Sequence, residues 1–344
     1  MMDRLNEDLD LILAKTNGLW EEVKDKTIFI TGGTGFFGIW LQMSFISINR
    51  RLGLNSRLIL LTRNKRKFLD GYPWIEEYDE ITFLEGDINN FDFVKDDIDY
   101  IIHAATEASV KLNLEEPLTM FETVVNGTKR ILEFARIKKV KSFLLTSSGA
   151  IYGKQPSEVG NVTEDFQGCP NPSDPGAVYG EGKRMAEVLC AVYHKHYNLP
   201  VKIARCYAFV GPFLPLDGAF AVGNFIKNVI NDEDILIEGD GTPYRSYLYA
   251  GDLMIWLWTI LLKGENNYPY NVGSDQSVSI KNLAMLVAED NIVKKTSINI
   301  KTPESGKPPL RYVPSINRAE KELGLKIYTD LKTAIRKTIV FNRN

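Results

Sequence analysis

Thr27-Ile28-Phe29-Ile30-Thr31-Gly32-Gly33-Thr34-Gly35-Phe36-Phe37-Gly38 is the stretch that decides the fold. Its first five residues are β-formers, and glycines follow at once in the spacing G-x-x-G-x-x-G. The three glycines have different tasks in such a turn. Gly32 permits a tight bend, Gly35 lets backbone approach a pyrophosphate, and Gly38 lets the following helix pack on the sheet. A helix opening at Phe36 and Phe37 turns its first N–H groups and its positive end toward the phosphates. Glycine-rich turns also occur without a ligand. The position of this one, directly after the first strand of an alternating pattern, favours a dinucleotide site.

Working outward, further apolar runs rich in β-formers lie at residues 57–62, 81–84, 100–103, 142–146 and 201–206. Stretches with helical spacing lie between them, such as Phe121–Ala135 and Gly182–Tyr197. Strands apolar throughout and alternating with helices predict an α/β protein with a doubly wound parallel sheet covered on both faces. After residue 206 Gly and Pro become frequent, which predicts a smaller, irregular α/β lobe. The expected division is a helical extension at 1–25, where Leu5, Leu9, Ile12 and Leu13 recur at helical spacing, then a dinucleotide-binding domain at 26–206 plus 240–263. A substrate-binding lobe at 207–239 plus 264–344 completes it.

The chain has 344 residues, with 41 Lys plus Arg against 44 Asp plus Glu, a net charge of −3 that gives no support to a nucleic-acid surface. Cys169, Cys190 and Cys206 form no C-x-x-C pair and make a poor disulfide framework, and with His103, His194 and His196 they predict no metal site. The most apolar run, Leu253–Leu262, is half the roughly 20 residues a bilayer needs. No membrane association is expected. The acidic N-terminus is unlike a signal peptide, so a cytoplasmic protein is expected.

The cofactor form is read at the end of the second strand, Leu61-Thr62-Arg63-Asn64-Lys65-Arg66. No carboxylate stands there to bind a ribose 2′-hydroxyl. Arg63, helped by Thr62, suits a 2′-phosphate, so the cofactor expected is NAD(P), with NADP favoured over NAD. A solvated basic turn is the competing reading. Asp87, in Gly86-Asp87-Ile88 after the third strand, is placed to accept from the adenine amino group.

Tyr179 and Lys183 stand at i and i+4 and share a helix face. A phenol with an ordinary pKa of ~10 becomes a base near neutrality only with about 4 kcal/mol of differential stabilisation. Lys183 and an oxidised nicotinamide ring both push that way. Ser147-Ser148 end another strand, and a serine hydroxyl there can hold the oxygen with which Tyr179 exchanges a proton.

Together the glycine loop, the Asp-Ile, the serine-ended strand and Y-x-x-x-K resemble the extended short-chain dehydrogenase/reductase family, within it the nucleotide-sugar epimerase/dehydratase branch. The similarity runs from residue 26 to about 325. It implies a Rossmann-type domain with a small substrate lobe, catalysis by Ser148, Tyr179 and Lys183, and a nucleotide-diphosphate sugar as substrate. It also implies Ile88, Ala104 and Ala105 beside the cofactor, with His103 in the same turn, and Thr106 beside the substrate. Asn126 resembles the family's helix asparagine, or is a satisfied polar core residue. Gly239–Arg245 is similar to the loop that offers an arginine, here Arg245, to the diphosphate. Arg311 and Asn224 stand where further diphosphate contacts lie in relatives. A homodimer is implied, through the helix near Phe121–Ala135 and the Tyr–Lys helix, whose Met185, Val188, Leu189 and Val192 form an apolar stripe.

Two departures bear on the reaction. Where dehydratases of this branch carry an Asp-Glu pair after the catalytic hydroxyl, this chain has Gly149-Ala150, and only Glu107, after a different strand, offers a nearby carboxylate. In the family's R-x-x-N-x-Y-G-P turn, Ala208 and Val210 replace the Asn and Tyr. Dehydration by the usual route is therefore not expected. Two hydride reactions at a sugar carbon, C4 foremost, remain: epimerisation, and reduction of a 4-keto sugar by NADPH. A non-catalytic binding protein on the same fold is the third class.

Overall fold

The computed structural model describes residues 2–105, 113, 115–218, 220–291, 295–303 and 306–343. Strands β1 (Thr27–Thr31), β2 (Arg57–Thr62), β3 (Ile81–Glu85), β4 (Tyr100–His103), β5 (Ser142–Ser148) and β6 (Val201–Cys206) form one sheet with a seventh strand, Pro269–Val272. The order is β3-β2-β1-β4-β5-β6 followed by 269–272, every pair parallel. The seventh strand differs from the division expected above, which gave 264–344 wholly to the small lobe. Its sequence, Pro-Tyr-Asn-Val, carries a proline and an asparagine and so hides its strand character; the proline is tolerated because the strand is an edge.

Side chains alternate across the sheet and divide the core in two. Ile28, Ile30, Leu58, Leu60, Ile102 and Leu144 face one side. Phe29, Ile59, Leu61, Ile101, Phe143 and Leu145 face the other. Both sets are buried because helices cover both faces, which is why the strands read as continuous apolar runs. The helix Phe36–Leu52 and the helix Ala250–Lys263 cover the first face. The helices Gly127–Lys138 and Val178–Tyr197 cover the second.

The N-terminal helix Asn6–Lys15 is a third layer over the first face. Leu5, Leu9 and Ile12 are buried on it. Trp20 meets Trp258 edge-on at 5.1 Å, and the Tyr249 hydroxyl donates to Asp8 at 2.8 Å. This cover explains why Ala250–Leu261 is apolar on every side.

The sheet order reverses direction between β1 and β4, and ligands of such sheets bind in the crevice outside the strands' carboxyl ends at that point. Above it stands a small three-stranded ribbon in the order Val278–Ser279, Tyr244–Arg245, Arg311–Tyr312. Its register pairs Arg311 with Tyr244 and Tyr312 with Arg245.

Candidate active site

The glycine loop has the shape its spacing predicts. Gly32 adopts φ +71°, and a Cβ there would lie 2.5 Å from the Ala104 carbonyl. A Cβ on Gly38 would lie 2.1 Å from the Gly33 carbonyl oxygen, so that contact closes the loop on its helix. Gly35 is different: nothing lies nearer to its Cβ position than the Gly32 oxygen at 3.6 Å, which leaves its outer side open to a ligand. Gly35 precedes the helix that begins with Phe36 and Phe37. An open glycine at the N-terminus of a helix, at the switch point of a parallel sheet, fits a dinucleotide pyrophosphate.

A buried hydrogen-bond hub braces this loop. The Thr31 hydroxyl meets His103 Nδ1 at 2.7 Å and accepts from the Ala105 N–H at 3.1 Å, while His103 Nε2 meets the Thr128 hydroxyl at 3.1 Å. Burial drives the His103 pKa down to about 3, with the Lys183 charge adding to the effect, so its imidazole is neutral. Sequence reasoning placed His103 in this turn without seeing its bracing role. Ile88 is buried against Gly127, and the Asp87 carboxylate accepts from the Asn89 N–H at 2.9 Å. Asn126 ends a π-helical turn, Glu122–Asn126, just before Gly127.

At the end of β2 the Thr62 side chain is buried and Arg63 is exposed. Asn64 caps the next helix by accepting from the Lys67 N–H at 2.8 Å. The Glu85 carboxylate, opposite Thr62 on β3, accepts from the Lys65 N–H at 3.0 Å. The basic turn therefore has a carboxylate beside it that its own sequence does not contain.

Ser148, Tyr179 and Lys183 come together from β5 and from the helix Val178–Tyr197. Side chains fix that helix at its N-terminus and at mid-length. Asn113 Oδ1 accepts from the Tyr179 N–H at 3.1 Å, and Asn113 Nδ2 donates to the Gly176 carbonyl at 2.9 Å. One turn beyond Lys183, Glu187 accepts from Ser147 Oγ at 2.5 Å and from Arg205 at 2.8 Å. Neither Asn113 nor Glu187 was foreseen; Glu187 had a signal, since it continues the i, i+4 series from Tyr179 and Lys183. Lys183 is buried and donates to the Thr146 carbonyl at 2.7 Å, and burial pushes its pKa down to about 8. Burial pushes the Tyr179 phenol up to about 12, against a lowering by Ser148. The expectation that Lys183 draws this phenol toward neutrality is not met by the protein alone.

Tyr179, Ser148, Tyr207, Tyr247, Tyr312 and Arg245 face one cleft of about 490 Å³. Among the described residues that line it, Arg245 is the only charged side chain. The remaining substrate contacts expected from sequence fare differently. Arg311 turns away: its guanidinium lies over the Tyr244 ring at 4.8 Å and donates to the Gly160 carbonyl at 3.3 Å. Successive strand residues face opposite sides, so Tyr312 and not Arg311 looks into the cleft. Asn224 is solvent-exposed one turn past Ala221, which does line the cleft. Thr106 and Glu107 lie outside the described residues.

Gly149 has a spatial reason. A Cβ there would lie 2.6 Å from the Tyr207 ring, so the Tyr207 phenol fills the space a side chain at 149 would need.

Residues 28–273 match the model of the NAD dependent epimerase/dehydratase family. The chain belongs to that family. UDP-glucuronic acid decarboxylase 6 of Arabidopsis thaliana is 30% identical over 300 residues, covering 86% of this chain and 83% of that protein. UDP-glucuronic acid decarboxylase 1 of Danio rerio is 28% identical, covering 92% and 72%. Among solved structures, a UDP-glucose 4-epimerase of Thermotoga maritima is 25% identical with a TM-score of 0.77, covering 92% of this chain and 98% of that one. A UDP-glucuronic acid 4-epimerase of Bacillus cereus, solved with NAD, shares the fold with a TM-score of 0.78 at 23% identity, over 92% of this chain and 98% of that one. Among the described residues no helix is long and apolar enough to cross a membrane.

Proposed function

We propose that this protein is an NAD(P)-dependent nucleotide-sugar epimerase that inverts a sugar carbon, C4, by removing and returning hydride. One observation carries the reading. Ser148 and Tyr179 face a cleft whose described lining holds four phenols and one arginine but no carboxylate, and Lys183 is buried one turn further along the Tyr179 helix. Proton exchange at one hydroxyl needs only Tyr179 and Ser148. Removing water across C5 and C6 needs a further acid and base, and the Tyr207 ring occupies the space at Gly149 where one would stand. Bound oxidised nicotinamide supplies the hydride acceptor and a positive charge that favours the Tyr179 phenolate. Lys183, fixed on the Thr146 carbonyl, would hold the bound cofactor from the same helix as that phenol. Arg245 suits the diphosphate as a planar, permanently charged donor.

The test is incubation with UDP-glucose, UDP-N-acetylglucosamine and UDP-glucuronic acid, followed by proton NMR. The C4 epimer of one of them is the expected product. A UDP-pentose from the glucuronic acid sinks the epimerase reading in favour of decarboxylation, the activity named for the Arabidopsis and Danio relatives. A 4-keto-6-deoxy product with solvent deuterium at C5 sinks it in favour of dehydration. The second reading, an NADPH-dependent 4-keto-sugar reductase, is favoured by the exposed Arg63 at the end of β2. It predicts NADPH consumption with a 4-keto sugar and no turnover of the three substrates above.

We also infer a homodimer. Leu118 is 78% exposed and Phe121, Met185, Val188 and Val192 are each above 40%; the first two lie on the short helix Pro117–Phe121 and the others on the helix Val178–Tyr197 packed against it. Leu189 instead packs partly into the core. A second copy pairing these helices covers the stripe. Light scattering that returns a monomer at micromolar concentration removes this inference.

A further inference from the structure

We propose that Gln42, buried in the helix Phe36–Leu52, is a positioning residue for the dinucleotide: by donating to the Gly33 carbonyl it fixes the Gly33–Thr34 peptide, so that the Thr34 N–H is presented to a phosphate. The proposal rests on the reading of the glycine loop as the dinucleotide site. The spacing G-x-x-G-x-x-G does not point to Gln42, which stands one helical turn past its last glycine.

Gln42 differs from its neighbours. Ile39, Trp40, Leu41, Met43 and Phe45 are buried apolar side chains, and one more at 42 would complete the set. The position holds a fully buried amide instead. Its Nε2 donates to the Gly33 carbonyl at 2.7 Å and to the Gly38 carbonyl at 3.2 Å. Two carbonyls decide which end of the amide faces them, since an oxygen there would be repelled. Its Oε1 has no hydrogen-bond partner among the described residues. A buried acceptor without a partner costs stability. Packing alone does not account for such a residue, whereas the bond to Gly33 does.

The Gly33 carbonyl is the pivot of the loop. Gly33 is buried, with Leu60 of β2 only 3.0 Å from where a Cβ would lie. Its carbonyl oxygen is tucked against the helix at Gly38. In a trans peptide the C=O and the following N–H point in opposite directions. Holding the Gly33 carbonyl on the helix therefore turns the Thr34 N–H away from it. That N–H has no partner among the described residues. The next one, on Gly35, is spent inside the loop, donating to the Gly32 carbonyl at 3.1 Å. Thr34 thus offers a spare donor beside the open Gly35. A clamp is needed because Gly33 has no side chain to hinder rotation of this peptide. Half a turn would put a carbonyl oxygen where the N–H stood, and that oxygen repels a phosphate.

The test reads binding and needs no sugar. NAD⁺ and NADP⁺ are titrated by calorimetry against the full-length wild type, and the tighter of the two serves as the probe, with ADP-ribose beside it. Gln42→Met keeps the length and bulk of the side chain and removes the donor. It is expected to weaken the probe and ADP-ribose by the same factor, about tenfold, the worth of one hydrogen bond to a charged group. Nitrogen-15 labelling of threonine gives a second readout, with the Thr34 signal assigned through Thr34→Ser. In the wild type the Thr34 amide proton moves downfield at saturating ADP-ribose, and in Gln42→Met that movement is lost. A Gln42→Met protein that is folded by its urea transition and binds within about twofold of wild type overturns the clamp alone, and so does an unchanged Thr34 shift. Should Gln42→Met not fold, Gln42→Glu takes its place. At about pH 5 its buried carboxyl is protonated and donates from the same position. Affinity within about threefold of wild type is expected there, and a loss of about tenfold overturns the proposal. A wild type that binds none of NAD⁺, NADP⁺ and ADP-ribose overturns the dinucleotide reading and the clamp with it.

Discussion

At the Gly32–Gly38 end of the crevice the working surface is backbone, and it comes from one short run plus the turn at Ala104. At the Tyr312 end it is side chain, gathered from stretches far apart in the chain: Ser148, Tyr179, Tyr207, Arg245 and Tyr312. The first end is a backbone turn whose close approaches require glycine at Gly32 and Gly38. The second end handles what is particular to this chain. Its described lining holds four phenols and no carboxylate, and its shape depends on how rings stack rather than on any local spacing. Binding and chemistry are thus separable, and the predictions test how cleanly.

The largest effect falls on Tyr179. Tyr179→Phe is expected to lower turnover by about 10²–10⁴-fold, the usual worth of a positioned acid–base group. Dinucleotide affinity, measured by calorimetry, should stay within about twofold, since the glycine loop is untouched. Retained turnover of more than a few per cent would falsify the role of Tyr179. A parallel loss of cofactor affinity would show that the two ends are not separable.

The backbone end has its own hidden dependence on side chains. His103 is buried with a pKa near 3 in the fold, against 6.5 for a free imidazole. Between these values the unfolded chain binds a proton that the folded chain refuses. The stability His103 contributes is therefore fully present above pH 6.5 and is lost as pH falls toward 3. By pH 4.5 the loss is roughly 3 kcal/mol. His103→Gln should flatten this part of the stability profile in urea titrations. Equal slopes for the two proteins would mean that His103 titrates normally.

Arg63 tests specificity at the same end. Arg63→Ala is expected to weaken NADP by roughly 1.5–3 kcal/mol, as for a lost charge-assisted contact, with little effect on NAD. Glu85 stands one strand away and tempers the positive turn. Wild-type preference for NAD in a titration of both cofactors would reduce the turn to a solvated surface.

The uneven legibility of the two ends follows from the same physics. The strands, the glycine loop and Y-x-x-x-K are contiguous patterns, and periodicity is enough to find them. The seventh strand at Pro269–Val272 escaped because a partly polar edge strand lacks the apolar run that marked β1 and β5. Arg311 was chosen over Tyr312 because charge is visible in a sequence, whereas the side of a ribbon to which a residue turns is not. Gly149, with no side chain to titrate, was visible in the sequence as a departure. That Tyr207 requires it to be glycine is a contact across 58 residues that no spacing rule contains.

That contact yields the smallest and sharpest prediction. Gly149→Ala places a methyl 2.6 Å from the Tyr207 ring, far inside ordinary contact distance. The ring cannot swing clear easily, because Tyr312 packs on it at 4.6 Å and Tyr152 lies 6.5 Å away. Overpacking of this kind costs about 1–3 kcal/mol. Tyr207→Ala leaves room for the methyl and breaks no hydrogen bond, since the Tyr207 hydroxyl has none. In that background Gly149→Ala should cost less than about 0.5 kcal/mol, so a double-mutant cycle in urea should show clear coupling. Additive costs in the cycle would mean that glycine at 149 reflects something other than the phenol beside it.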